Sequence, residues 1–169
     1  MVVHVFETAQ QASVAAAQMF AAEILRNPAS VLGLATGSTP VNTYKELIRL
    51  YDEGVLDFSE CVSFNLDEYV GVAADHPASY RRFMEEQLFQ HINMLETYVP
   101  SGNSDDHQEE CARYDQLIDE HGGIDIQFLG LGANGHIGFN EPADIFVYGT
   151  HIVDLTDSTI QANKRFFDS

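Results

Sequence analysis

Three short segments hold the side chains able to do chemistry. The first is the glycine-rich stretch Gly130-Leu-Gly-Ala-Asn-Gly-His-Ile-Gly-Phe-Asn-Glu-Pro142, which carries Asn134, His136 and Glu141. A turn of this composition cannot satisfy its own backbone amides, and its glycines let the chain approach a ligand closely. A histidine with a carboxylate five residues on suits acid–base chemistry, because the carboxylate can orient the imidazole and select its tautomer. Metal binding is the rival use, but the His136/Glu141 spacing matches no standard zinc pattern, so no metal is expected. The second segment, Asn65-Leu-Asp67-Glu68-Tyr69, places two adjacent carboxylates after an apolar run. Neighbours in extended chain point to opposite sides, so at most one of them enters a common crevice, where it would serve as a general base. The third, Ala35-Thr36-Gly37-Ser38-Thr39-Pro40, has the makings of an anion cradle at a helix start. It lacks the Gly-Lys-Ser/Thr ending of a Walker loop. Read singly, the third segment is an ordinary strand-to-helix turn capped by a hydroxyl, and the second a solvated acidic turn.

The elements that must position these groups follow from hydrophobic period and capping. Val2–Phe6 is a short β-branched run. Thr8 and Gln11 form a capping box for a helix that runs to about Arg26 and stops at Asn27-Pro28. Ser30–Ala35 and Cys61–Leu66 are strand candidates, with a helical pattern over Thr43–Tyr51 between them. A helix is expected from about Ala78 to Leu95, then a polar loop from Pro100 to Asp106. Another helix runs through Ile118 and is closed by Gly122-Gly123. Asp125–Leu131 is the strand that opens the glycine-rich turn. Ile152–Leu155 is a further strand candidate, and Asp157 to about Phe166 is helical in pattern. This alternation predicts an α/β fold: a Rossmann-like open parallel sheet with helices on both faces, in one domain over residues 1–169. In such a sheet the carboxyl ends of the strands share one edge, so the three segments are expected to converge.

Composition narrows the function. Eight Lys/Arg against 26 Asp/Glu leave a formal charge of −18, which excludes the basic face that nucleic acid or an anionic membrane requires. Cys61 and Cys111 form no CxxC pair and are expected as two buried thiols in a reducing compartment. The Ala-rich stretch Ala12–Ala22 follows Glu7 rather than a basic residue and carries Gln and Ser at helical spacing, so it is no signal segment. A cytoplasmic protein is expected. His4, His91, His107 and His121 read as structural, whereas His76 and His151 stay open. Oligomeric state, self-association included, is not legible.

Taken together, five segments in order resemble the glucosamine-6-phosphate deaminase (glucosamine-6-phosphate isomerase) family. They are Ala35–Pro40, Phe64–Tyr69, His76–Tyr80, Gly132–Pro142 and the Ala162-Asn-Lys-Arg-Phe-Phe167 run. The resemblance implies conversion of glucosamine 6-phosphate and water to fructose 6-phosphate and ammonia in amino sugar catabolism, without a cofactor. It implies His136 as the ring-opening base, Glu141 as its orienting partner and Asn134 as a member of the same relay. Asp67 would take the proton from the amine-bearing carbon. Thr36, Gly37, Ser38 and Thr39, with Arg165, would hold the phosphate. Asn134 stands where some members have aspartate. His151, Val153 and Asp154 stand where allosterically activated members carry basic residues, so that activation is not expected. Members continue beyond a position equivalent to Ser169, through strands and a phosphate-binding lysine, so the resemblance implies a chain that is C-terminally incomplete. Two further readings share the fold: a sugar-phosphate lactonase, which would lack the Phe-Asn-Glu-Pro continuation, and a catalytically inactive sugar-phosphate-binding module.

Overall fold

A computed structural model describes residues 1–164 of the chain. Its first helix, α1 (Ala9–Arg26), starts on the expected capping box, with Thr8 and Gln11 bonding each other's backbone. Ala17, Phe20, Ala21 and Ile24 form its buried stripe, at the spacing of one helical face. Strand β1 (Val31–Leu34) is buried along its whole length and leads into α2 (Val41–Asp52), which packs on α1. After β2 (Val62–Asn65) come α3 (Tyr80–Gln87), a 3₁₀ turn (Phe89–His91) and the short strand β3 (Glu96–Tyr98). Helix α4 (His107–Glu120), capped by Asp106, is followed by β4 (Ile126–Gln127) and finally α5 (Asp157–Asn163).

All pairings are parallel, in the order β3-β2-β1-β4. Alternate residues of the central strands divide the core. Leu32 and Leu34 join α1, α2 and Met84 of α3 in one cluster, while Val31, Val62 and Phe64 pack with Tyr114 of α4 in the other. Helices therefore cover both faces, as expected for an α/β sheet. Gly33 is required by register: it sits opposite Gln127, whose side chain occupies the space that a Cβ on residue 33 would take. The chain passes outward from β1 to β3 and then returns across β1 to β4. The strand order thus reverses between β1 and β4, the place where open α/β sheets form their ligand crevice.

Five elements depart from expectation. Val2–Phe6 is no strand; Val2, Val3 and Val5 are exposed, and the segment pairs with no described strand. The same holds for Ile152–Leu155, which is irregular. The helix expected to reach Leu95 ends at Gln87. Beyond it Leu88 leaves helical geometry, and the amide of Leu95 donates to the Cys61 carbonyl (3.0 Å), delivering β3 to the edge of the sheet. Strand β3 is missing from the pattern because Glu96-Thr97-Tyr98 is half exposed and polar. Its pairing is supported by Tyr98 stacking on Phe64, with ring centroids 5.0 Å apart. Strand β4 is shorter than Asp125–Leu131, since the chain turns away from β1 once the Phe128 amide has bonded the Gly33 carbonyl (2.9 Å).

One buried side chain holds the end of β1. The Tyr44 hydroxyl accepts from the Ala35 amide (3.1 Å) and donates to the Ala35 carbonyl (2.5 Å), closing a polar gap where the sheet ladder stops. Burial raises its phenol well above the ordinary range, so it stays neutral. Tyr44→Phe leaves both backbone groups unpaired while keeping the ring. It is expected to lower unfolding free energy by about 2 kcal/mol, read as a lower urea midpoint at unchanged m-value.

Candidate active site

The β1–α2 turn is bent open by Gly37 at φ +90°, and Gly37, Ser38 and Thr39 are exposed at its tip while Thr36 is half-buried. No side chain caps α2. The hydroxyl-capped turn that this segment suggests by itself is therefore not what forms. The Thr43 hydroxyl instead donates to the Ser13 carbonyl of α1 (3.2 Å). Among the described residues, the Ser38 and Thr39 hydroxyls and the amides of Val41 and Asn42 have no hydrogen-bond partner. A helix start with open amides and two free hydroxyls is suited to an anion. Arg165, the remaining candidate for a phosphate, lies outside the described residues.

At the end of β2 the two carboxylates part company. Glu68 turns to α3, where its oxygens accept the amides of Tyr80 (3.0 Å) and Arg81 (3.0 Å). These are first-turn amides that the helix cannot satisfy itself, so Glu68 is structural. Asp67 takes the other side. No described residue hydrogen-bonds its carboxyl, and burial, aided by the nearby charge of Glu68, pushes its pKa up to about 7. A carboxyl poised there can both take and return a proton near neutrality.

The glycine-rich turn is internally bonded. The Gly132 amide donates to the His136 carbonyl (2.8 Å), and Ile137 and Asn140 exchange a pair of backbone bonds (3.1 and 2.9 Å). Between them Gly138 has φ +58°, and among the described residues only glycines have positive φ, so the tight reversal depends on it. A Cβ at Gly138 would stand 3.1 Å from Asp67 Oδ2 and 3.0 Å from Leu66, so the turn backbone rests directly on the carboxyl-bearing segment.

Within this turn Glu141 does not bond the imidazole itself. Asn134 stands between them: its Nδ2 donates to Glu141 Oε2 (2.6 Å), and its Oδ1 faces His136 Nδ1 (2.7 Å) and the His136 amide (3.2 Å). The chain sets proton positions. An ionised Glu141 only accepts, so the NH₂ end of Asn134 must face it and the carbonyl end must face the ring. Nδ1 then carries the hydrogen, and the lone pair at Nε2 is left for a substrate. Asn134 thus stands directly against the ring, with Glu141 one hydrogen bond further out.

Three aromatic rings that sequence reasoning left without a role gather the segments. Tyr69, Tyr80 and Phe139 lie with centroids 4.8, 5.4 and 6.0 Å apart, and the Tyr80 hydroxyl donates to that of Tyr69 (3.1 Å). The Tyr80 hydroxyl also lies against that of Thr36 in the β1–α2 turn. The His76–Tyr80 motif was the available signal, with Ser79 capping α3 so that Tyr80 is its first residue. A cavity of about 440 Å³ opens on the α4 side, lined by Asp67, Tyr69, Phe139, Tyr114, Asp115 and Val153 among others. Neither His136 nor the 36–39 turn lines it. Of the open histidines, His76 Nδ1 accepts the Ala78 amide (3.0 Å) and His151 Nδ1 pairs with the Gly149 carbonyl (2.9 Å). Among the described residues no group of three or more His, Cys, Asp or Glu could hold a metal ion. No described helix is long and apolar enough to cross a membrane.

Comparison with known proteins gives the same picture. The sequence profile of the glucosamine-6-phosphate isomerases/6-phosphogluconolactonase family matches residues 5–144. A glucosamine-6-phosphate deaminase of Clostridium perfringens (strain 13 / Type A) is 59% identical over 162 residues, covering 95% of this chain and 67% of that protein. The solved structure of a monomeric glucosamine-6-phosphate deaminase superimposes with a TM-score of 0.94 at 47% identity, covering 100% of this chain and 71% of that one. A 6-phosphogluconolactonase from Thermotoga maritima shares the fold, with a TM-score of 0.67 at 20% identity over 82% of this chain and 64% of that one. The chain, with its parallel sheet and its three convergent strand-end segments, belongs to the glucosamine-6-phosphate isomerase/6-phosphogluconolactonase family.

Proposed function

We propose that this protein is a glucosamine-6-phosphate deaminase, converting glucosamine 6-phosphate and water to fructose 6-phosphate and ammonia. The observation that carries this reading is the histidine of defined tautomer, set by Asn134 and Glu141, on the same turn that rests on a carboxyl poised near neutrality. His136 Nε2 takes the proton of the anomeric hydroxyl and returns it to the ring oxygen as the carbon–oxygen bond breaks. Asp67 then removes the proton from the amine-bearing carbon of the open sugar. The resulting enolamine is reprotonated at the neighbouring carbon, water adds to the iminium, and ammonia leaves. Thr36, Gly37, Ser38 and Thr39 at the start of α2, with Arg165, hold the phosphate; an arginine fork pairs two of its oxygens. The described crevice is built from one chain, and the relative of known structure is described as monomeric, so the reading needs no second copy. A cytoplasmic setting suits a phosphorylated substrate and two free thiols, Cys61 buried and Cys111 half-buried.

Ammonia and fructose 6-phosphate release from glucosamine 6-phosphate tests the proposal directly. Lactone hydrolysis in its place would favour the lactonase reading, and phosphosugar binding without turnover an inactive binding module. Glu141 bears on that choice, since its bond to Asn134 gives it a task in ring opening.

Asp67→Asn is expected to abolish turnover and keep substrate binding, because a carboxamide preserves shape but accepts no proton. The same variant carries a stability signature. The folded carboxyl titrates at about 7 against an ordinary value of 3.8, so the native state holds the proton more tightly. The cost of burying the charge is absent below the unfolded value, grows as pH rises and is complete above the folded one. Asparagine escapes it, so Asp67→Asn is expected to gain on the order of 2 kcal/mol over wild type between pH 5 and pH 8. Paired denaturant titrations at the two pH values measure this. Glu141→Gln can donate as well as accept, so Asn134 is no longer held one way round. Its kcat is expected to fall by about tenfold with KM little changed, read by steady-state ammonia release.

A further inference from the structure

The glycine-rich turn has few attachments to the rest of the molecule. Before it, Phe128 bonds Gly33; after it, the Thr150 amide and hydroxyl bond the Asp115 carboxylate of α4 (2.9 and 2.6 Å). Between these two anchors, residues 129–148 make hydrogen bonds only among themselves, judged over the described residues. Yet the proposed chemistry needs the His136 ring and the Asp67 carboxyl to act on adjacent carbons of one small sugar. Something other than hydrogen bonding must set their separation.

Among the described residues, the one side chain of the turn that reaches an aromatic partner elsewhere is Phe139. It sits at the centre of the Ile137–Asn140 reversal, next to the glycine that touches Asp67. Its ring stacks nearly parallel on Tyr80 (10° between planes) and leans on Tyr69 at 5.4 Å. Both tyrosines are themselves fixed. Tyr69 is buried and follows Asp67 by two residues, while Tyr80 is held through its amide by Glu68 and through its hydroxyl by Tyr69. The ring is therefore a peg in a rigid socket that belongs to the Asp67 side of the crevice. We propose that Phe139 is a positioning residue, whose docking between Tyr69 and Tyr80 sets the distance and alignment of His136 relative to Asp67 and keeps water from the Asp67 carboxyl. The inference rests on the deaminase reading for its kinetic consequence, but its structural content stands independently.

The groups that face Asp67 are Glu68 and Tyr69 of its own segment, Tyr80 of α3 and Tyr114 of α4. Removing the Phe139 ring alters none of these charges. A change in Asp67 titration after that removal consequently reports water entry and loss of docking, not a new electrostatic neighbour.

The test compares wild type with Phe139→Ala, Phe139→Leu and Phe139→Tyr by three readouts. For ammonia release, Phe139→Ala is expected to lose kcat on the order of 100-fold with KM within about threefold, since misalignment by an ångström has that effect. Phe139→Leu should lose less, and Phe139→Tyr should restore most of the rate. By ¹³C NMR, the Asp67 carboxyl should titrate at lower pH in Phe139→Ala and at the wild-type position in Phe139→Tyr. Amide exchange at Gly132, His136 and Asn140 should accelerate in Phe139→Ala while that of β1 stays unchanged, which separates undocking from unfolding. An unmoved Asp67 titration together with unchanged amide exchange would overturn the proposal, as would a loss confined to KM. If wild type released no ammonia, the functional reading would fall, while titration and exchange would still decide the role of Phe139.

Discussion

Parallel pairing on both sides of β1 is the constraint on which the rest of the molecule depends. Val31–Leu34 is buried throughout and bonds β2 along one edge and β4 along the other. Parallel neighbours must all end at the same margin, so three loops from distant parts of the chain are brought to one place. The reversal of strand order between β1 and β4 leaves the helix cover divided there. The anion-suited start of α2 and the histidine turn flank that division, and the Asp67 loop follows on the next strand.

Much of the polar interior is spent on holding these loops rather than on chemistry. Tyr44 ties off the end of β1, Tyr114 donates to the Asn65 carbonyl (2.7 Å) at the end of β2, and Glu68 closes the start of α3. Each satisfies backbone groups that lie beyond the regular ladder or helix, where a missing bond would cost more than its net value. Fixing the ends of β1 and β2 in this way leaves Asp67 as the carboxyl without such a duty. That division of labour is why burial raises its pKa: the partners that would lower it belong to Glu68.

Electrostatics sets a second problem. A chain of charge −18 must receive a doubly charged phosphate ester if the proposed activity is right. The answer suggested by the fold is local. Open amides at the start of α2 present partial positive charge at short range, while acidic side chains such as Glu46, Glu85 and Glu110 are paired with arginines on helix surfaces. Short-range amide dipoles can outweigh a diffuse negative field that salt screens within about 10 Å.

The sequence by itself determined the fold class, the capping of α1 and the two central strands. Their signals are local: a capping box and apolar runs of strand length. Ordered family motifs then indicated the chemistry. What it misjudged depended on partners far away in the chain. Val2–Phe6 has strand composition but stays exposed and packs on no strand, whereas Glu96–Tyr98 lacks strand composition yet pairs because β2 offers an edge and Phe64 a ring to stack on. The family resemblance pointed to Asp67 rather than Glu68, and only the tertiary structure supplies a physical difference between them, because burial and helix capping are properties of the assembled neighbours. It likewise decided that Asn134 lies between Glu141 and His136, and that Phe139 docks on Tyr69 and Tyr80. Residue type and spacing name the groups; distances between segments, which set tautomer and pKa, exist only once the sheet has brought them together.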